Sequence, residues 1–419
     1  KICILWNYKL MNKFLKEFKD RGFFYQCTNE NELSELLDQK KIKAYIGFDC
    51  TAESLHVGSL LQIMCLRLLQ KHGHQPIVLL GGGTTRIGDP SGKDKTRKIL
   101  SESEIEKNTK NIKNILKNYL TSNNESTKPI FVNNYTWLKN LNYISFLRNI
   151  GKHFTINKML TFDSVKTRLD REQSLSYMEF NYMILQAYDF LELNKKENCF
   201  LQIGGSDQWG NIINGVELIK RYSNNQTYGL TTPLITLAGG AKMGKTENGA
   251  IWLDGRLLSP YDYWQFWRNI DDRDVIKFLN FFTDLTTQEI REIENKNINE
   301  LKILLANKTT SMLHGVSEAQ KSENAAKEAF SENSTGSNMP SMKVKQNEIN
   351  NNINILDLVI LSKLEHSKSE VRRLIKGNGV KINNKIISDE KQIISKKFFQ
   401  NNFLKLSLGK KRHIKIELN

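Results

Sequence analysis

The sequence predicts an α/β chain: a parallel-sheet body, an α-helical domain after it, and a small basic α+β domain towards the C-terminal end. Three observations carry this. Two short apolar runs, Tyr45-Ile46-Gly47-Phe48 and Pro76 to Leu80, flank a segment from His56 to Gln70 in which Leu60, Leu61, Met64 and Leu68 fall at helical spacing. Strand, helix and strand with short links imply parallel pairing through a right-handed crossover. From Pro260 to Phe330 the pattern is helical with few breakers, and beyond residue 340 basic charge is concentrated.

Taken in order, residues 1–10 are an upstream extension of a body that starts at Met11 and runs 11–237. Its apolar runs are continuous rather than alternating, as in strands buried on both faces. Gly73 closes the first helix. Cys199 to Ile203 is a further strand and leads into a helix from Gln208 to Arg221. A glycine-rich loop occupies 238–250 and the helical domain 251–330. Residues 331–352 are polar, rich in Asn and Ser and without apolar period, which predicts a linker. The basic domain is 353–419. There Ser367-Lys368-Ser369-Glu370 has the pattern of a capping box and opens a helix ending near Gly377. Val380-Lys381-Ile382, Asn383-Asn384 and Lys385-Ile386-Ile387 follow as strand, turn, strand. No internal repeat is present.

Composition excludes several classes. Of 419 residues, 25% are charged and 39% apolar, a globular balance. No stretch approaches the roughly 20 consecutive apolar residues of a membrane span. The five cysteines, Cys3, Cys27, Cys50, Cys65 and Cys199, are scattered and form no C-x-x-C, which argues against a disulfide scaffold or a cysteine zinc site and for a reducing, cytoplasmic compartment. The net charge is +16, and residues 341–419 hold 17 Lys and Arg against 7 Asp and Glu, so ten of the sixteen excess charges lie there. An anionic partner is expected, nucleic acid first.

Parallel sheets bind ligands outside the carboxyl ends of their strands, and three segments occupy such ends. Gly47 to Ser59 (GFDCTAESLHVGS) places His56, Gly58 and Ser59 at a helix start, where free N–H groups suit an anion. Gly81 to Lys93 (GGGTTRIGDPSGK) is a glycine-rich loop with cations, but neither a Walker A loop nor G-x-G-x-x-G, since Asp89 and Arg86 stand where those patterns need Lys and Gly. Ala238 to Gly249 carries Lys242, Lys245 and Thr246 between glycines, a loop able to close on a polyphosphate. Separately, Tyr182, Gln186 and Asp189 stand at i, i+4 and i+7, so they share one helix face amid apolar neighbours. Each segment alone has a plainer reading: a capping histidine, a flexible connection, a solvated basic loop, an exposed polar stripe. In the tail, Lys368, Arg372, Arg373 and Lys376 crowd one short helix beside a hairpin and can straddle RNA phosphates.

His56-Val57-Gly58-Ser59 is similar to the first signature, His-Ile-Gly-His, of class I aminoacyl-tRNA synthetases, and Lys242-Met243-Gly244-Lys245-Thr246 to the second, Lys-Met-Ser-Lys-Ser. With GFDCTAESLH, GDPSGK, YMILQAYD and LQIGGSDQWGN, the chain from about residue 11 resembles the bacterial- or organelle-type tyrosyl-tRNA synthetase family. The resemblance implies a Rossmann-like catalytic domain and an RNA-binding C-terminal domain like one of a ribosomal small-subunit protein. It implies that Tyr45 and Asp189 hold the phenol hydroxyl of tyrosine. Tyr182, Gln186 and Gln202 would hold its ammonium group, Gln208 would lie beside its carboxylate, and Asp89 on the amino-acid side. Gly47, Asp49, Gly58, Ser59, Gly205 and Asp207 would line ATP, Thr51 and His56 would touch the γ-phosphate, and Lys93, Arg97, Lys242, Lys245 and Thr246 would grip the departing pyrophosphate. The implied reaction uses ATP with Mg²⁺ as substrate, L-tyrosine and its tRNA, without a tightly held protein metal.

Two residues depart from the family pattern. Ser59 replaces the second histidine of the first signature, and Cys50 stands where proline is usual. The tryptophan-specific relative and an RNA-binding relative with impaired catalysis are the competing readings; Asp189 with Tyr45 argues against the first, and intact His56, Lys242 and Lys245 against the second. Ile150 to Leu169 resembles the family's dimer seam, which implies a homodimer.

Overall fold

The computed structural model describes residues 11–91, 100–240, 243–246, 249–330, 340–344, 349, 353–400, 402–409 and 412–418, the side chains of 164, 245, 246, 329 and 330 excepted. It forms two compact units, the first ending at Gly315 and the second running Val316–Asn419.

In the first unit, β1 (Gln26–Cys27), β2 (Lys43–Asp49), β3 (Gln75–Gly81), β4 (Ile130–Asn133), β5 (Cys199–Gly205) and β6 (Tyr228–Thr232) form one sheet in the order β1-β6-β5-β2-β3-β4. All neighbours pair in parallel except β1, which runs antiparallel to β6. The expected strands are present, and β2 and β3 pair from Lys43↔Gln75 to Asp49↔Gly81, so Asp49 and the glycine-rich turn after Gly81 emerge side by side at one edge. Ala44, Tyr45, Ile46, Ile77, Val78, Leu201 and Ile203 are all buried, as continuous apolar runs require. The helix Leu60–Lys71 links β2 to β3 and buries eight of its twelve residues. Gly73, at φ +80°, ends it by donating to the Gln70 carbonyl at 2.9 Å.

The helix Tyr177–Glu197 supplies the polar stripe. Ser176 and Glu179 form a capping box at its start, and Asn198 closes it in the left-handed region at φ 53°. It packs on the helix Trp209–Ser223, where a Cβ at Gly215 would come within 3.0 Å of the Phe190 ring. The helices Pro260–Arg268, Val275–Phe282, Thr287–Ile293 and Ile298–His314 follow the sheet, with Tyr263, Trp264, Trp267, Phe278 and Phe282 buried among them.

In the second unit, β9 (Ser341–Val344), β10 (Val380–Ile382), β11 (Lys385–Ile386), β12 (Phe403–Leu408) and β13 (Arg412–Leu418) form a sheet ordered β11-β10-β12-β13-β9; the pairs β7 (Lys245–Thr246) and β8 (Gly249–Ala250) belong to the first unit. Asn383 and Asn384, at φ 46° and 66°, make the predicted turn. Three expectations change here. The linker expected over 331–352 contains β9, an edge strand pairing in parallel with β13; 331–339, 345–348 and 350–352 lie outside the described residues. The helix Val316–Phe330, expected in the helical domain, falls in the second unit. The capping box expected at Ser367–Glu370 does not form: the Ser367 hydroxyl pairs with the Ser369 hydroxyl at 2.7 Å, and the Glu370 N–H donates to the Ser367 carbonyl.

Glu179 is 1% exposed and sits 3.5 Å from Arg168, also buried. Removing the carboxylate strands the guanidinium and one cap of the helix that carries Tyr182, Gln186 and Asp189. Glu179→Ala is expected to cost about 3–5 kcal/mol of unfolding free energy, read by urea denaturation.

Candidate active site

A cleft of about 400 Å³ opens outside the carboxyl ends of β2, β3 and β5. Tyr45, Gly47, Asp49, Thr51, His56, Gly58, Ser59, Asp89, Tyr182, Gln186, Asp189, Gln202, Gly205, Asp207 and Gln208 all line it. Lys93, Arg97 and Lys242 lie outside the described residues. Lys245 and Thr246 form β7, paired with β8 across the loop, and their side chains are not described. The stripe predicted on Tyr177–Glu197 faces this cleft, not solvent.

The floor is set by Asp189, 1% exposed. Asn134 Nδ2 donates to one carboxylate oxygen at 2.9 Å and Trp137 Nε1 to the other at 2.7 Å. Burial outweighs both donors and pushes the carboxyl up to about 7. The Tyr45 hydroxyl, 1% exposed on β2, has no hydrogen-bond partner; burial, then nearby Asp189, hold it well above the usual phenol range. Gln202 Oε1 is likewise buried without a partner. Orphaned polar atoms on a cleft floor are positions for ligand groups.

Further out, Asp49 accepts from Thr84 Oγ1 at 2.8 Å and from the Tyr182 hydroxyl at 2.9 Å. Gln208 Nε2 donates to Asp89 at 2.9 Å, whose other oxygen accepts from the Ser91 N–H. The Cys50 N–H donates to Thr85 Oγ1 at 2.7 Å. A proline there has no N–H, so the departure at Cys50 is used by the backbone.

The two signature segments meet through backbone. His56 Nδ1 accepts from the Gly58 N–H at 3.0 Å, which places the proton of the neutral ring on Nε2. Val57 N–H donates to Ile251 O and Leu253 N–H to Leu55 O, both at 2.9 Å, so the first signature is stitched to the strand leaving the second. Gly244, at φ +101°, lies so close that a Cβ would stand 2.6 Å from His56 Nδ1 and 3.0 Å from the Gly58 nitrogen. Ser59 makes no cap hydrogen bond and faces the cleft.

Sequence reasoning missed Asn134, Trp137 and Thr84, which fix the carboxylates, and Asn211 behind the glutamines. Asn134 and Trp137 follow β4 in NNYTWL, a fourth strand end; its strand, Ile130–Asn133, is four half-buried residues with little periodic signal. In the second unit, Lys368, Arg372, Arg373 and Lys376 are exposed on the helix Lys368–Lys376, whose Val371 and Ile375 face the core. Lys368 pairs with Asp357, Arg372 with Glu390 at 3.6 Å and Arg373 with Glu370 at 3.2 Å.

The family model of class I tRNA synthetases for tryptophan and tyrosine matches residues 37–331. The chain belongs to this family. A model of the C-terminal domain of tyrosine–tRNA ligases of the SYY-like type matches 317–416. The tyrosine–tRNA ligase of Pelagibacter ubique (strain HTCC1062) is 77% identical over 408 residues, covering 97% of this chain and all of that protein. That of the Wolbachia of Brugia malayi is 54% identical over 97% of this chain and 99% of its own length. The C-terminally truncated mitochondrial tyrosyl-tRNA synthetase of Aspergillus nidulans superposes with a TM-score of 0.68 at 30% identity, over 76% of this chain and 94% of its own. The chain is therefore an aminoacyl-tRNA synthetase, and its whole-length relatives are tyrosine enzymes.

A carboxyl raised on folding from 3.8 to about 7 costs the fold nothing below pH 3.8 and its full penalty above pH 7, about 4 kcal/mol at about 1.4 kcal/mol per unit. Without substrate, Asp189→Asn should therefore gain that much stability relative to the parent between pH 4 and pH 8 by urea denaturation. A pH-independent difference would refute the buried charge.

Proposed function

We propose that the cleft activates L-tyrosine with ATP and passes it to the 3′ end of its tRNA. The observation that carries this reading is the pair at the floor: an unpartnered, buried Tyr45 hydroxyl and a buried carboxylate at Asp189 aimed by two N–H donors. A phenol hydroxyl satisfies both at once, donating to Asp189 and accepting from Tyr45. Phenylalanine would leave the buried Tyr45 hydroxyl unpaired, at about 1–3 kcal/mol, and Asp189 with only its two protein donors. Tryptophan would bring an N–H in a different place on a larger ring.

In the first step a tyrosine carboxylate oxygen bonds to the α-phosphorus of ATP, and the bond to pyrophosphate breaks. In the second, a ribose hydroxyl of the tRNA bonds to the adenylate carbonyl and AMP leaves. Neither step needs a protein nucleophile; the work is positioning and charge stabilisation. Tyr182, Gln186 and Gln202 meet the ammonium group, Gln208 lies beside the carboxylate, and Asp89 stands on the amino-acid side. Asp49, Gly47, Gly58, Ser59, Gly205 and Asp207 line the nucleotide. Thr51, His56, Lys93, Arg97, Lys242, Lys245 and Thr246 attend the β- and γ-phosphates, with Mg²⁺ arriving on ATP. The Lys368–Lys376 helix meets tRNA phosphates. Among the described residues no helix is long and apolar enough to cross a membrane. The same reading places the enzyme in the cytoplasm.

ATP–pyrophosphate exchange run with tyrosine, phenylalanine and tryptophan is expected to proceed with tyrosine alone. Tyr45→Phe should raise the tyrosine KM roughly 10-fold and narrow the gap to phenylalanine. Exchange with none of the three, or with tryptophan, would sink the reading.

A homodimer belongs to the same proposal. Tyr143, Ile144 and Tyr177 are 57%, 70% and 66% exposed, and Ile156, Leu160 and Leu169 are exposed within the expected seam. Tyr143 and Tyr177 line an apolar groove of about 440 Å³ together with Leu138, Leu141, Phe146 and Leu147. Contiguous apolar surface of this kind marks an interface. Sedimentation should show a dimer, and Ile144→Asp with Tyr177→Asp a monomer.

A further inference from the structure

Asn211 stands in the first turn of the helix Trp209–Ser223, 4% exposed and behind the cleft wall. Its Nδ2 donates to Gln186 Oε1 at 3.0 Å and to Gln208 Oε1 at 3.1 Å, one hydrogen for each. A primary amide is nearly symmetric in shape, so its polarity is decided by its partners alone. Here the decision propagates from Asp89. Its carboxylate takes the Ser91 N–H on one oxygen and Gln208 Nε2 on the other. Gln208 must therefore turn its nitrogen to Asp89 and its oxygen to Asn211. Asn211 must answer with its nitrogen, and the second hydrogen of that nitrogen then requires the oxygen of Gln186.

We infer that Asn211 is a positioning residue for the amino-acid end of the substrate: it holds the Gln208 amide in the sense that Asp89 dictates and passes that polarity on to Gln186. The inference rests on the tyrosine reading of the cleft. With Gln208 so turned, its amide nitrogen keeps a hydrogen for the substrate carboxylate. With Gln186 so turned, its oxygen keeps a lone pair for the substrate ammonium. Either amide flipped would set oxygen against a carboxylate or nitrogen against an ammonium. Asn211 touches neither substrate group and acts only through the two glutamines.

Asn211→Asp keeps the shape and replaces the donor by an acceptor, so it should disorder both amides. Asn211→Ala removes the donor, leaving the Gln186 amide free to turn and the Gln208 amide held by Asp89 alone. In tyrosine-dependent pyrophosphate exchange by the full chain, the tyrosine KM should rise roughly 10-fold for Ala and more for Asp, with the ATP KM within about twofold of the parent. Competition by tyramine, which lacks the carboxylate, should weaken less than tyrosine binding does in both variants. Should the Asp variant not fold, the Ala variant decides through the tyrosine-to-tyramine split. An unchanged tyrosine KM, an equal loss for tyrosine and ATP, an equal loss for tyrosine and tyramine, or a larger loss for Ala than for Asp would overturn the inference. Absence of tyrosine exchange by the parent chain would instead overturn the reading of the cleft.

Discussion

A carboxylate buried at the bottom of a cleft is costly, and much of this site exists to hold one in place. Asp189 is kept by Asn134 and Trp137, which stand beyond the end of β4, while Asp189 itself comes from a helix on the sheet's face. Two elements far apart in sequence must meet within hydrogen-bond distance for that charge to be tolerated. The capping box at Ser176 and Glu179 fixes where the helix begins, and hence where residue 189 lands along it. A penalty remains after two donors, visible in a carboxyl raised to about 7.

The same logic runs outward. Asp49 is met by donors from other elements, Thr84 and Tyr182, and Asp89 by Gln208 from another element and by the Ser91 N–H two residues on. The carboxylates thereby orient the hydroxyl and amide groups around them, and each amide passes its polarity on. A cleft wired in this way is organised before any ligand enters, which is how enzymes avoid reorganising dipoles during reaction.

The end of the cleft at the two signature segments is organised by backbone instead. The segment around His56 is hydrogen-bonded to the segment around Trp252, and Gly58 and Gly244 are small enough for the two signature loops to touch. Side chains larger than hydrogen at either glycine would part them. Ten of the sixteen excess charges lie in residues 341–419, where the cations of Lys368–Lys376 stand on the exposed side of a helix anchored by Val371 and Ile375.

Local pattern alone determined a good deal. Continuous apolar runs marked β2, β3 and β5, because strands buried on both faces need apolar residues at every position. Spacing of four and three placed Tyr182, Gln186 and Asp189 on one face, because an α-helix repeats every 3.6 residues. The signature segments and the Asn383-Asn384 turn were legible for similar reasons. Tertiary structure decided the rest. Ser341–Val344 is a strand only because β13 offers an edge to pair with, and Ser367 leaves its cap because Ser369 competes for its hydroxyl. Asn134, Trp137 and Asn211 each meet a buried or half-buried partner 25 to 55 residues away in sequence. A periodicity is a property of neighbouring residues, whereas the partner of a buried hydrogen bond is settled only when the chain packs.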